Sequence, residues 1–159
     1  QRYASAAAVT DGQPEPEFTK DRELHYQPTT WPGARLPHAW LYDQDGKQHS
    51  TLDITGKGRF TLLTGISGQQ WADAAETVGK ALGVDVAVHV IGPRRALVDH
   101  HGDWARSRET GESGCVLVRP DHHVAWRAIT LPGDPAGELM RALAAILDRN
   151  SNSAHQAAE

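Results

Sequence analysis

A chain of 159 residues, 39% of them hydrophobic, with 15 glycines and 9 prolines, has the length of one domain and too many apolar residues for a disordered segment. Sixteen basic residues against twenty acidic ones give a net charge of -4, and Arg94-Arg95 is the only basic doublet, so the footprint of a nucleic-acid binder is missing. The single cysteine, Cys115, excludes an internal disulfide and fits a reducing, cytoplasmic setting, and no apolar run approaches the roughly 18 residues of a membrane span.

The chain opens at Gln1 without a methionine or a signal-peptide pattern, and is expected to be part of something longer. Residues 1–31 read as an extended N-terminal segment or linker, because Thr10–Lys20 contains Gly12, Pro14 and Pro16. An ordered domain is expected over 32–150. It begins with a hairpin, His38–Asp43 and Gln48–Ile54, joined by a two-residue turn at Asp45-Gly46. Arg59–Thr64 is a compact apolar run between Gly58 and Gly65, as a central strand requires. Gln69–Leu82 repeats apolar residues at three- and four-residue steps (Trp71, Ala74, Ala75, Val78, Leu82), so it reads as a helix capped by Gly83. Val84–Ile91 alternates as a strand, and strand–helix–strand with short links makes a parallel unit.

Gly92–Gly114 reads as loop with one helical turn at Asp103–Ser107. Cys115–Arg119 and His123–Ala128 then form a second hairpin around Arg119-Pro120-Asp121-His122-His123, where proline supplies the fixed backbone angle that a tight turn needs. The last helix is expected from about Pro135 to Arg149, with Asp134 as N-cap, and 151–159 as a flexible tail. This order predicts an α/β, thioredoxin-like fold: a mixed central sheet flanked by helices, with an extra N-terminal β-hairpin and no CxxC. Arg59–Thr64 should lie mid-sheet, between Val84–Ile91 and Cys115–Arg119, with the two long helices covering the faces of the sheet.

Candidate chemistry fails at each step. A redox protein of this fold needs a low-pKa thiolate where the first strand of the parallel unit meets its helix, and Gly65–Gln70 contains no cysteine. Cys115 sits in a strand, where a buried, inert thiol is expected. His100-His101 and His122-His123 lack the spacing of a metal site, since neighbours in a strand point to opposite faces. Ser67, His89 and Asp99 could form a nucleophile set on paper, but no Gly-x-Ser-x-Gly elbow supports it. Gly56-Lys57-Gly58 precedes a strand instead of following one, so it is no dinucleotide fingerprint. The expectation is therefore no catalytic, cofactor-binding or metal residue in this chain. Trp31, Arg35, His38, Trp126 and Arg127 are the candidate interface residues, toward another domain or a second subunit.

Four spaced blocks carry a resemblance. Trp31–Leu41 (WPGARLPHAWL), Ser50–Asp53 (STLD), Gly58–Gly65 (GRFTLLTG), and Val116–Asp121 (VLVRPD) with His123–Arg127 (HVAWR) together resemble the C-terminal region of phenol and chlorophenol hydroxylases of the 2,4-dichlorophenol 6-monooxygenase type. These are FAD-dependent aromatic monooxygenases using NAD(P)H. The resemblance implies a thioredoxin-like domain that has lost its cysteines. It also implies packing against upstream FAD-binding and substrate domains of the same polypeptide and, in some members, contact between subunits. Residues 1–31 would then lead in from the catalytic region. The other expectation is a free-standing, redox-inactive interaction module of the same fold.

Overall fold

The computed structural model describes residues 8–10, 12–14 and 28–156; most of the expected N-terminal segment and the last three residues of the tail lie outside them. The elements are β1 (Trp40–Tyr42), β2 (Gln48–Ser50), α1 (Thr51–Ile54), β3 (Phe60–Thr64), α2 (Gln70–Leu82), β4 (Val86–Val90), α3 (Asp103–Ser107), β5 (Cys115–Val118), β6 (Val124–Ala128) and α4 (Pro135–Gln156). β1 and β2 form a separate ribbon, and the main sheet has the order β4-β3-β5-β6. β3 and β4 run parallel, while β3–β5 and β5–β6 are antiparallel. This is the expected arrangement, with β3 inside and every one of its residues buried.

Both long helices lie on one face of the sheet, and not on both faces as expected. Phe60, Leu62, Leu117 and Trp126 meet Trp71 and Val78 of α2 and Leu139, Leu143 and Ile146 of α4 in a single apolar layer. Trp71 and Trp126 pack edge to face at 5.9 Å, and the Trp71 indole N–H donates to the Ser113 carbonyl at 2.9 Å. The opposite face presents Leu63, Val116, Val118 and Val124, and it is closed by Leu36, Leu41, Leu97 and Trp104 from loops, the ribbon and α3. Only one five-residue helix occurs between β4 and β5, so irregular chain must do there what a helix does elsewhere.

Three local differences have identifiable causes. The expected return strand Gln48–Ile54 stops at Ser50, because Ser50 and Asp53 form a capping box that turns the chain into α1. Ser50 Oγ accepts from Leu52 N–H at 3.1 Å, and Asp53 accepts from Ser50 N–H at 2.9 Å. The first hairpin closes with three residues, not two: Asp43 and Lys47 pair, and Gly46 takes the left-handed conformation (φ 79°). The β5–β6 hairpin uses the same construction between Arg119 and His123, with His122 at φ 65° in the position that favours glycine. Finally, α4 continues to Gln156, beyond the expected end at Arg149. Its start is as expected, with the Asp134 carboxylate accepting from Gly137 N–H at 3.0 Å.

A register shift in β6 decides where its side chains go. Leu117 pairs with Trp126 but Val118 pairs with Val124, leaving Ala125 as the extra residue of a bulge. Simple alternation would put Val124 and Trp126 on one face. The bulge sends Trp126 to the helices and leaves Val124 and Arg127 on the loop-covered side.

Candidate functional site

The β3–α2 junction is where a thioredoxin-type thiolate would sit, and it is filled by a carboxylate. Glu112 Oε2 accepts from Ile66 N–H at 3.3 Å, and Arg108 donates to its other oxygen at 2.8 Å. That guanidinium hydrogen bond holds the Glu112 carboxyl below its ordinary pKa, against a smaller opposing effect of burial. A Cβ added at Gly65 would lie 2.2 Å from Glu112 Oε2, and one at Gly68 would lie 1.9 Å from Thr64 Oγ1. The close approach of backbone and side chains at this turn therefore requires glycine at both positions. Cys115 lies across the sheet from it, fully buried, and burial pushes its thiol far above the ordinary range. Such a thiol is not a nucleophile at neutral pH.

The same junction tests the cofactor implied by the resemblance. A flavin dinucleotide needs a strand-to-helix turn whose N–H groups face a pyrophosphate. Here an ionised Glu112 already accepts from that turn and would repel a phosphate. The glycines before β3 do not substitute: Gly56 lies under the His122 ring, where an added Cβ would meet Cε1 at 2.7 Å. Neither of these two turns fits the pyrophosphate of FAD.

The histidines of the two His-His pairs make local contacts. His122 Nδ1 bonds Thr55 Oγ1 at 3.0 Å and joins the β5–β6 turn to α1, while His123 approaches Asp121. His100 and His101 flank the Tyr42 ring at 5.1 and 5.4 Å, and Tyr42 Oη bonds His101 Nε2 at 3.0 Å. Among the described residues no group of three or more His, Cys, Asp or Glu could hold a metal. The paper nucleophile set does not assemble either. Asp99 accepts from Trp104 and Ala105 N–H at the start of α3, and His89 lies on the loop-covered side of β4, where burial lowers its pKa. No helix among the described residues is long and apolar enough to cross a membrane.

What the loop-covered side does hold is a buried charge. Arg127, 5% exposed, donates to Thr30 Oγ1 at 3.1 Å and to Glu109 Oε1 at 3.3 Å, and its guanidinium lies 5.4 Å from the Trp31 ring centroid. Glu109 Oε1 also accepts from Thr30 N–H and Thr29 Oγ1, both at 2.6 Å. Glu109 itself is held at φ 58°, a conformation that costs a non-glycine residue about 1 kcal/mol. One arginine thus ties the incoming segment 29–31 to the loop before β5 and to β6. The incoming chain continues along the outer edge of β6, where Val9, Gly33 and Leu36 N–H donate to Ala125, Val124 and His122 carbonyls and Val124 N–H donates to Ala34.

Of the five residues marked as interface candidates, Trp31, Trp126 and Arg127 are therefore covered by the chain itself. Arg35 and His38 are exposed. His38 packs edge to face on Trp40 at 4.5 Å and bonds Ser50 Oγ at 2.7 Å. Trp40, which sequence reasoning did not single out, is 38% exposed and is, with Ile66, a large apolar side chain open to solvent among the described residues. Its position outside the alternating core set of β1 was the available signal.

Comparison with known proteins fits this arrangement. The family model described as "Aromatic-ring hydroxylase, C-terminal" matches residues 29–150. A 2,4-dichlorophenol 6-monooxygenase from Cupriavidus pinatubonensis is 52% identical over 95% of this chain, which spans 25% of that protein. The crystal structure of the flavin-dependent monooxygenase PieE, in complex with FAD and substrate, superposes with a TM-score of 0.87 and 53% identity, over 94% of this chain and 25% of PieE. A thioredoxin-like protein from Porphyromonas gingivalis shares the fold alone, with a TM-score of 0.52 and 13% identity, over 71% of this chain and 92% of that one. The chain thus spans about a quarter of the hydroxylases it matches, and with a thioredoxin-like sheet, no redox cysteine pair and a family match across most of its length it belongs to the aromatic-ring hydroxylase C-terminal domain family.

Proposed function

We propose that this chain is the accessory C-terminal domain of a flavin-dependent phenol-type monooxygenase, with a docking role and no chemistry of its own. The parent polypeptide would hydroxylate a phenolic ring in the cytoplasm with NAD(P)H and O2, and the flavin would supply the oxygen chemistry from upstream domains. The observation that carries the reading is the Glu112 carboxylate seated in the strand–helix junction, the one place where this fold ordinarily does chemistry.

Docking toward the upstream FAD-binding and substrate domains is assigned to the loop-covered face around Arg35, His38 and Trp40. Trp40 is a partly exposed aromatic packed edge to face on His38, and tryptophan is a residue that interface centres favour. A second subunit is the other partner of this reading.

The test is titration of the purified chain with FAD, followed by an assay of NADPH oxidation. The expected result is no stoichiometric flavin and no oxidation above free flavin; one tightly held flavin per chain would overturn the proposal. Reading the coding sequence upstream of Gln1 is the complementary check, since a parent of this class requires a dinucleotide-binding βαβ unit there.

A further inference from the structure

The C-terminal ends of the parallel strands β3 and β4 lie side by side, since Ile91 N–H donates to Thr64 O at 2.8 Å. In open α/β sheets ligands gather outside such strand ends. Here the end carries Ile66, 41% exposed. Its position is fixed from two sides. Its N–H donates to Glu112, and its side chain lies on the bare backbone of Gly92, where an added Cβ would meet Cγ2 at 2.2 Å.

The chain that follows β4 is pinned across the same end. Ile91 bridges Leu97, Gly92 N–H donates to Leu97 O at 3.0 Å, and Arg95 N–H donates to Gly92 O at 3.1 Å. This loop presents Arg94 and Arg95 just beyond the glycine under Ile66. Arg94 is exposed and Arg95 partly so. Arg94 is held at φ 61°, strain of the kind that collects at ligand clamps. Arg59, Arg106, Arg108, Arg119, Arg127 and Arg141 each stand beside a carboxylate. Arg94 and Arg95, like Arg35, have no carboxylate partner among the described residues. The carboxylate at the junction, Glu112, is already held by Arg108 at 2.8 Å.

We infer that Ile66, Arg94 and Arg95 form a docking surface for an acidic peptide segment of a separate protein, which sets an aliphatic side chain on Ile66 and carboxylates at the arginines. Charge complementarity selects this occupant. A guanidinium fork binds a carboxylate through two parallel hydrogen bonds. On a chain of net charge -4, two adjacent unpaired forks mark a place where an acidic ligand is attracted and not repelled. An anionic bilayer takes clusters of about four to eight basic residues, more than this loop offers. The loop is held by its own hydrogen bonds before any ligand arrives, so binding orders little backbone. The inference takes nothing from the proposed function, and none of Arg35, His38 and Trp40 enters this surface.

The experiment is titration of the isotope-labelled 159-residue chain with an acetylated, amidated peptide of alternating glutamate and leucine, read from backbone amide shifts. The control peptide carries glutamine in place of every glutamate. Shifts are expected at Ile66, Ser67, Arg94 and Arg95 with the acidic peptide alone, and its affinity should fall steeply with added salt. Arg94→Gln combined with Arg95→Gln should weaken binding about tenfold, and Ile66→Ser about threefold. If the double variant loses its folded spectrum, Arg95→Gln alone takes its place. An acidic peptide that shifts none of these amides, or that binds the folded arginine variant as tightly as the wild type, overturns the inference. So does a glutamine peptide of equal affinity, which would reduce the surface to apolar contact. Inorganic phosphate that matches the peptide would make it a bare anion site, and vesicles of anionic phospholipid that broaden these amides where the peptide does not would make a membrane the occupant; either result also overturns it. Flavin binding plays no part in these readings, so their failure is separable from failure of the proposed function.

Discussion

The two faces of the sheet are built on different principles. The helix-covered face is apolar throughout, with Trp71, Trp126, Leu62, Leu117 and Leu143 in one layer, and each contributor sits where helical or strand periodicity places it. The loop-covered face has its own apolar centre, but around it stand Arg127, Glu109, His122, His89 and Ser50, held by specific hydrogen bonds between segments far apart in sequence. The first face needs only the right volumes to form. The second needs particular partners, and it is the one that receives the incoming chain.

Substitutions should separate the faces. The largest expected effect is Trp126→Ala, which empties a buried indole site against Trp71 and should cost about 3–5 kcal/mol of unfolding free energy, read by urea denaturation. Arg127→Met comes next. It strands the Glu109 carboxylate and should cost about 2–3 kcal/mol, below the ~3–5 of a fully buried pair because Glu109 keeps about a third of its surface. Adding Glu109→Gln should return part of that loss; a double variant as unstable as the sum of the singles would mean that the two side chains do not interact. For Trp126 no second substitution should rescue in this way, since packing and not a partner is lost.

Smaller effects belong to the loop-covered face alone. Burial is the main cause holding the His89 imidazole below its ordinary value of 6.5. The folded state therefore takes up a proton less readily than the unfolded one, so stability is unaffected above pH 6.5 and falls as the pH drops below it. His89→Gln should flatten that slope, and an unchanged pH profile would remove His89 as its source. Ser50→Ala deletes the cap of α1 and should cost about 1 kcal/mol, visible as a shift in thermal midpoint. No comparable pH dependence is expected from the helix-covered face.

How legible each face was in the sequence follows from the same contrast. The positions of β3, α2, β4, β5, β6 and α4, and the order of the sheet, could be read because hydrophobic period and capping residues are local signals. Trp126 could not be assigned to a face by alternation, because the bulge at Ala125 adds a residue that no local pattern announces. The Arg127–Glu109–Thr30 cluster joins residues 18 to 97 apart, and nothing in the neighbourhood of any one of them reveals the others. Ser50-Thr51-Leu52-Asp53 carries a capping-box signal, but it follows directly on strand residues whose pattern continues across it. Both helices fell on one face because the loop between β4 and β5 supplies too little helix to cover the other, a property of the whole connection and of no single motif.

The proposed function has the loop-covered face dock against upstream domains of a longer hydroxylase polypeptide. Hydrogen exchange compared between the 159-residue chain and that polypeptide tests it directly. Added protection is expected to concentrate at Arg35, His38 and Trp40. Unchanged exchange there, with new protection on the outer surfaces of α2 and α4 instead, would contradict it.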